Sequence, residues 1–246
     1  MALDLREQPI GRSPAFATTH WSLVVAAGNR DSPHAEKALA ELCQIYWYPL
    51  YAYVRRRGYG PEDAEDLTQD FFVRLMEKEY LGLADRQRGK FRTFLLCAMK
   101  HFLINHQESS KAVVRGGRVN HLSIDAQDAE RQYLAEPVEK ISPERYYEKR
   151  WAMTVLDQAL RALECEYARA ESLELFLQLK ACLGGHAHTS YAEIGHRLGM
   201  SEGSVKTAAF RMRQRFGQAL HAEVAKTIDS PDEVEDELRS LMALFE

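Results

Sequence analysis

Apolar side chains recur along this chain three and four residues apart, and few segments alternate. That period belongs to helices and argues against a sheet-based fold. Over 35–56, Leu39, Leu42, Cys43, Tyr46, Leu50 and Val54 fall on one stripe, with Pro49 expected to kink the helix or start a new one. Gly58 to Pro61 reads as a turn, and Pro61 opens a helix to about Lys78. Its first turn carries Glu62, Asp63, Glu65 and Asp66, which suits the positive end of the helix dipole, and Ala64, Leu67, Phe71 and Leu75 face inward. A third helix, about 90–108, has Phe91, Phe94, Leu95, Ala98 and Phe102 on one face. Periodicity fades over 109–147, resumes near Tyr147 and continues to Leu183, where Gly184 and Gly185 break it. Two more helices, about 190–198 and 202–226, precede an acidic tail. The expected fold is all-α: two small helical domains joined by a linker. The boundaries read as 15–110 for the first domain, 111–146 for the linker, 147–228 for the second domain and 229–246 for an acidic amphipathic C-terminal helix.

Net charge is −4, which by itself disfavours a polyanionic partner, but the charge is segregated. Residues 229–246 hold seven acids and one base, whereas 86–118 hold eight bases and Glu108 as the sole acid. Because fields are screened over about 8–10 Å, the local balance decides what binds. The basic stretch mixes Arg86, Arg88, Lys90, Arg92, Lys100, His101, Asn105 and His106 with phenylalanines, a combination suited to single-stranded nucleic acid, where bases stack and phosphates need neutralising. The same phenylalanines also fit one inward stripe, so most belong to a core.

The most informative stretch is Ser190 to Phe216. Ser190 and Glu193 form a capping box, Gly195 is small where a second helix must cross closely, Gly199 permits a left-handed turn, and Ser201 can cap the next helix. In that helix Val205, Ala209, Met212 and Phe216 face inward, while Ser204, Thr207, Ala208, Arg211 and Arg215 form the opposite stripe. A buried framework supporting a second helix with short polar groups and arginines is the pattern of a helix-turn-helix that reads duplex DNA.

Other chemistry finds little support. No apolar run nears the ~18 residues a bilayer requires, and the first residues lack a secretory signal, so a cytoplasmic chain without membrane insertion is expected. Cys43, Cys97, Cys165 and Cys182 are far apart, and buried free thiols are expected. His186 and His188, near Cys182, lack an obvious fourth metal ligand. Asp63, Glu65, Asp66 and Asp70 are better explained by the helix dipole and by docking than by catalysis. No nucleotide, nucleophile or cofactor motif is present, so neither an enzyme nor a cofactor is expected.

Taken in order, these parts resemble bacterial extracytoplasmic-function sigma factors, of the sigma-70 superfamily. The stretches that carry the resemblance are Tyr46 to Tyr51 (YWYPLY), Asp63 to Phe72 (DAEDLTQDFF), Phe91 to Leu95 (FRTFL) and Ser201 to Thr207 (SEGSVKT), and it covers about 15–108 and 145–225. The resemblance implies a transcription initiation factor. The 62–73 helix would dock on the β′ clamp helices of core RNA polymerase through Asp63, Asp66, Gln69, Asp70, Phe72 and Val73. Arg88, Lys90, Arg92, Lys100, His101 and Asn105 would open and read the minus-ten element. Ser201, Ser204, Lys206, Thr207, Ala208, Arg211 and Arg215 would read the minus-thirty-five element, with the same domain touching the β flap. An anti-sigma factor is a further partner the family allows. Two positions depart from the family: Lys100-His101 with Asn105 replaces an Arg-Asn and Asp pattern, and Thr207-Ala208 replaces Ser-Arg. Two rivals are a conventional helix-turn-helix regulator, which explains 189–216 alone, and a hydrolase, for which no coherent site exists.

The tail leaves two roles open. Val234, Leu238, Leu241 and Phe245 mark one apolar stripe after Asp229-Ser230-Pro231. The helix either completes the core of the second domain or masks a basic DNA-binding surface.

Overall fold

The computed structural model describes residues 35–76, 90–110, 126–136, 141–183, 189–228 and 230–246. Among them all regular structure is helical: α1 (Ala35–Arg56), α2 (Pro61–Met76), α3 (Phe91–Ser110), α4 (Ala126–Ala135), α5 (Pro143–Arg169), α6 (Leu173–Leu179), α7 (Tyr191–Leu198), α8 (Glu202–Ala225) and α9 (Val234–Met242). Short 3-10 turns at Lys180–Cys182 and Pro231–Glu233 follow α6 and precede α9. No described helix is long and apolar enough to cross a membrane.

The described residues build two cores. The larger gathers Tyr46, Leu50 and Val54 of α1, Phe71 of α2, Phe91 and Phe102 of α3, Tyr147 and Trp151 of α5, Val224 of α8 and Leu241 of α9. Edge-to-face contacts at 5.2 Å (Tyr46 and Phe91) and 5.8 Å (Phe71 and Phe102) lock α1, α2 and α3 together. The smaller core takes Leu163 and Tyr167 from α5, Phe176 and Leu179 from α6, Ile194 from α7, and Val205, Ala209 and Met212 from α8. The long helices α5 and α8 therefore serve both cores, and Phe216 packs against each.

Several local expectations change. Pro49 lies inside one helix, because Leu50, Tyr51, Tyr53 and Val54 after it are all buried and hold the next turn in place. The helical pattern expected to resume near Tyr147 begins at Pro143: Ser142 caps α5, its side chain accepting from the Arg145 backbone N–H at 3.2 Å, with Pro143 at the first helical position. The helical run to Leu183 is interrupted after Arg169, where Glu171 takes φ 52° and the Ser172 N–H bonds to the Tyr167 carbonyl at 2.9 Å. The stretch expected as linker contains α4, and charge fastens it to the first domain. Glu130 accepts from Arg55 Nε and Nη2, each at 2.9 Å, and from the Tyr51 hydroxyl. Burial alone would raise the Glu130 pKa, but the hydrogen bonds and charge of Arg55 and the bond from Tyr51 hold it below its ordinary value. Glu136 accepts from Tyr48 at 2.6 Å and from Tyr146 and Arg150.

Cys43 and Cys182 are buried, but Cys97 and Cys165 are exposed, on the outer faces of α3 and α5. Burial pushes the Cys43 thiol up to about 12, so it stays protonated and inert.

Candidate nucleic-acid interface

Two exposed polar surfaces emerge, on separate cores. The first is shared by α2 and α3. The Gly60 carbonyl accepts from the Ala64 N–H at 2.9 Å, and Glu62 and Asp63 occupy the first turn of α2. Asp63 and Asp66 are exposed, and Asp70 and Val73 are half-buried on the same side. Burial raises the Asp70 carboxyl above its ordinary value; Arg74 opposes that shift and Asp66 adds to it. Gln69 and Phe72 do not lie outward as expected: they are 3% and 1% exposed. Because α2 packs against both α1 and α3, its inward arc is wider than a single stripe. Phe72 meets Phe71 edge-on at 5.9 Å, and Gln69 donates back to Glu65 at 3.1 Å.

On α3, Phe91, Leu95, Ala98, Met99 and Phe102 point into the core, while Phe94 is only partly covered. That leaves Thr93, Cys97, His101, Ile104 and Asn105 exposed and Lys100 half-exposed. Lys100 pairs with Glu144 of α5 at 2.9 Å, which raises its pKa and lowers that of Glu144. Arg92 is not part of the exposed face: only 7% exposed, it lies 4.2 Å over the Trp151 ring and pairs with Glu237. Lys90 pairs with the same carboxylate. Arg88 lies outside the described residues.

The second surface is built by α7 and α8. Ser190 and Glu193 close the capping box, at 2.9 Å and 3.2 Å. Gly199 ends α7 at φ 65°, a conformation that favours glycine. Gly195 faces the turn so closely that a Cβ there would lie 2.6 Å from the Met200 carbonyl oxygen. Ser201 then caps α8 through the Ser204 N–H at 3.2 Å. Val205, Ala209 and Met212 are buried and Phe216 is partly buried, so the start of α8 is presented outward as a rigid element.

Ser201, Ser204, Lys206, Thr207 and Arg211 are exposed on it. Ala208 lies on the flank of the smaller core, half-buried, and is no full member of the outer stripe. Lys206 pairs with Glu202 at 2.7 Å, and Arg215 with Glu166 at 3.2 Å while lying over the Tyr167 ring. Phe210, 57% exposed beside Arg211, was absent from the expected face. So was Arg213, which donates to the Cys182 carbonyl at 3.2 Å and the Tyr191 hydroxyl at 2.9 Å and thereby ties α8 to the 3-10 turn after α6 and to α7.

Among the described residues no cluster of histidine, cysteine or carboxylate side chains is arranged to hold a metal; His186 and His188 lie outside them.

Residues 48–112, which run from the end of α1 through α2 and α3, match the family model of sigma-70 region 2. Over that segment the chain is similar to sigma-70 region 2. Proteins of that family are transcription initiation factors that bind core RNA polymerase and promoter DNA, and they are not enzymes. The acidic face of α2 and the polar face of α3 both fall within the matched segment. No curated protein and no solved structure matches the chain.

Proposed function

We propose that this chain is a sigma factor of the extracytoplasmic-function type, acting in the cytoplasm by binding rather than by turnover. The observation that carries the reading is the coincidence of region 2 with an outward acidic face on α2 and a polar face on α3. A second, capped helix pair stands at the other end of the same chain. In this reading α2 docks on the β′ clamp helices through Asp63, Asp66, Asp70 and Val73. Helix α3 faces the melted minus-ten strand through Lys100, His101 and Asn105, with Lys90 at its start. The N-terminal half of α8 enters the major groove of the minus-thirty-five duplex, and its domain meets the β flap. Short side chains at Ser204 and Thr207 let the backbone approach, and Arg211 reaches a base edge or a phosphate. Phe210 adds an apolar group beside Arg211, suited to a thymine methyl.

Two substitutions test the division of labour. Asp66→Arg is expected to weaken binding to core polymerase by about tenfold or more, since like charges facing across an interface are strongly unfavourable. Asp66 is exposed, so circular dichroism should be unchanged. Unaltered affinity in a pull-down with a normal spectrum would remove α2 from the interface. Arg211→Ala should cost ~1–3 kcal/mol in duplex binding. Loss confined to one base position across a panel of single-base variants would mean a base contact. A uniform loss would mean a phosphate contact, and no loss on any duplex would place the reading face elsewhere. Copurification with core polymerase separates the sigma reading from that of a conventional helix-turn-helix regulator, which would bind duplex DNA without it.

A further inference from the structure

Three of the cations at and along α3 are already occupied, and each by a carboxylate from the C-terminal half. Lys100 meets Glu144 of α5 at 2.9 Å, and Lys90 and Arg92 both meet Glu237 of α9. Glu237 is 1% exposed. It interrupts the buried side of a helix that otherwise seats Val234 and Leu241 in the larger core, with Leu238 packed against it. A carboxylate there is a poor choice for stability alone: desolvating it is costly, and an apolar residue would continue the stripe. Registry and switching are the better-attested uses of a buried ion pair. The other acids of α9, Glu235 and Asp236, are exposed, so the buried position of Glu237 is specific rather than a spill-over of the tail's charge.

The pair Lys90 and Arg92 presents two closely spaced cations at the start of α3, which is the arrangement a phosphodiester attracts. Glu237 fills that position, and the tail that carries it starts only a few residues after α8 ends at Ala225. Such a short tether keeps the local concentration of the carboxylate high.

We propose that α9 is an intramolecular stand-in for promoter phosphate: Glu237 occupies the Lys90 and Arg92 cations in the free protein, and α9 leaves them when α3 engages DNA. Release of α9 frees Arg92 from an otherwise closed position over Trp151 and gives the strand both cations together. The inference rests on the reading of α3 as the promoter-facing helix of region 2.

The test uses the full chain and a fluorescein-labelled single-stranded DNA 20-mer at low salt. Glu237→Gln is expected to bind it about tenfold more tightly than the unmodified protein, because the competent state no longer has to be released from the pair. Asp232→Asn removes the same charge from an exposed tail position and should bind within about twofold of the unmodified protein. In parallel, amide hydrogen exchange of the unmodified protein should show residues 230–246 losing protection when the oligonucleotide saturates it. If Glu237→Gln binds no more tightly, or if the tail stays equally protected with DNA bound, the proposal is overturned. If Glu237→Gln fails to fold by circular dichroism, the exchange result on the unmodified protein decides alone. A core-polymerase transcription assay on the unmodified protein separates the two levels. Active protein with a tail that never opens removes the lock only, whereas no transcription and no oligonucleotide binding remove the reading of α3 together with it.

Discussion

Trp151→Ala is expected to lower the free energy of unfolding by about 3–5 kcal/mol, the range for removing a fully buried large aromatic. Trp151 has no exposed surface and sits in the larger core beside Tyr46 and Phe91. Its ring also carries Arg92 at 4.2 Å, so truncation leaves both a cavity and a buried guanidinium without its platform. The effect extends beyond one contact because α5 joins the cores: Tyr147 and Trp151 serve the larger, Leu163 and Tyr167 the smaller. Urea unfolding followed by far-ultraviolet circular dichroism measures it. A loss below about 1 kcal/mol would mean that the site collapses around the gap and that α5 is not the joint between the cores.

Gly195→Ala should disable the helix pair at the C-terminal end while sparing the segment 48–112. The added Cβ would meet the Met200 carbonyl oxygen at 2.6 Å and the Val205 side chain at 3.5 Å. That oxygen is backbone, and the Met200 N–H in turn bonds the Gly195 carbonyl at 2.8 Å, so neither partner can step aside without opening the turn. Alanine improves helix propensity, but overpacking of ~1–3 kcal/mol outweighs that gain. The smaller core has few residues to absorb the strain, and α8 would lose its fixed angle to α7. Duplex binding should fall by about tenfold or more while binding to core polymerase through α2 is retained. Wild-type duplex affinity in Gly195→Ala would show that the reading helix does not depend on this crossing.

Both helix caps of that pair and its left-handed glycine were legible because each is a local rule acting within four residues: Ser190 with Glu193, Ser201 with Ser204, Gly199 after Leu198. The all-helical class followed from the same short-range periodicity. Contacts between distant residues carried no such signal. Glu237 lies in a run of acids, and nothing in its neighbourhood marks it as the one that turns inward to meet Lys90 and Arg92. Glu130 and Glu136, 75 and 88 residues from Arg55 and Tyr48, bind the supposed linker to α1 in the same unannounced way. Gln69 and Phe72 escaped a one-stripe reading because α2 is enclosed on two sides. The turn at Glu171 escaped for a different reason: a non-glycine residue adopts positive φ there, without the glycine or proline that usually advertises a break.

The most direct measurement is run-off transcription with sigma-free core RNA polymerase on a library of promoter fragments. Transcripts are expected that depend on this chain and start at a fixed distance downstream of a shared two-part motif. Asp66→Arg should abolish them, and Arg211→Ala should reduce them or relax the upstream half of the motif. Duplex binding by the chain with no chain-dependent transcript from any fragment would rule out a sigma factor and leave a conventional DNA-binding regulator in its place.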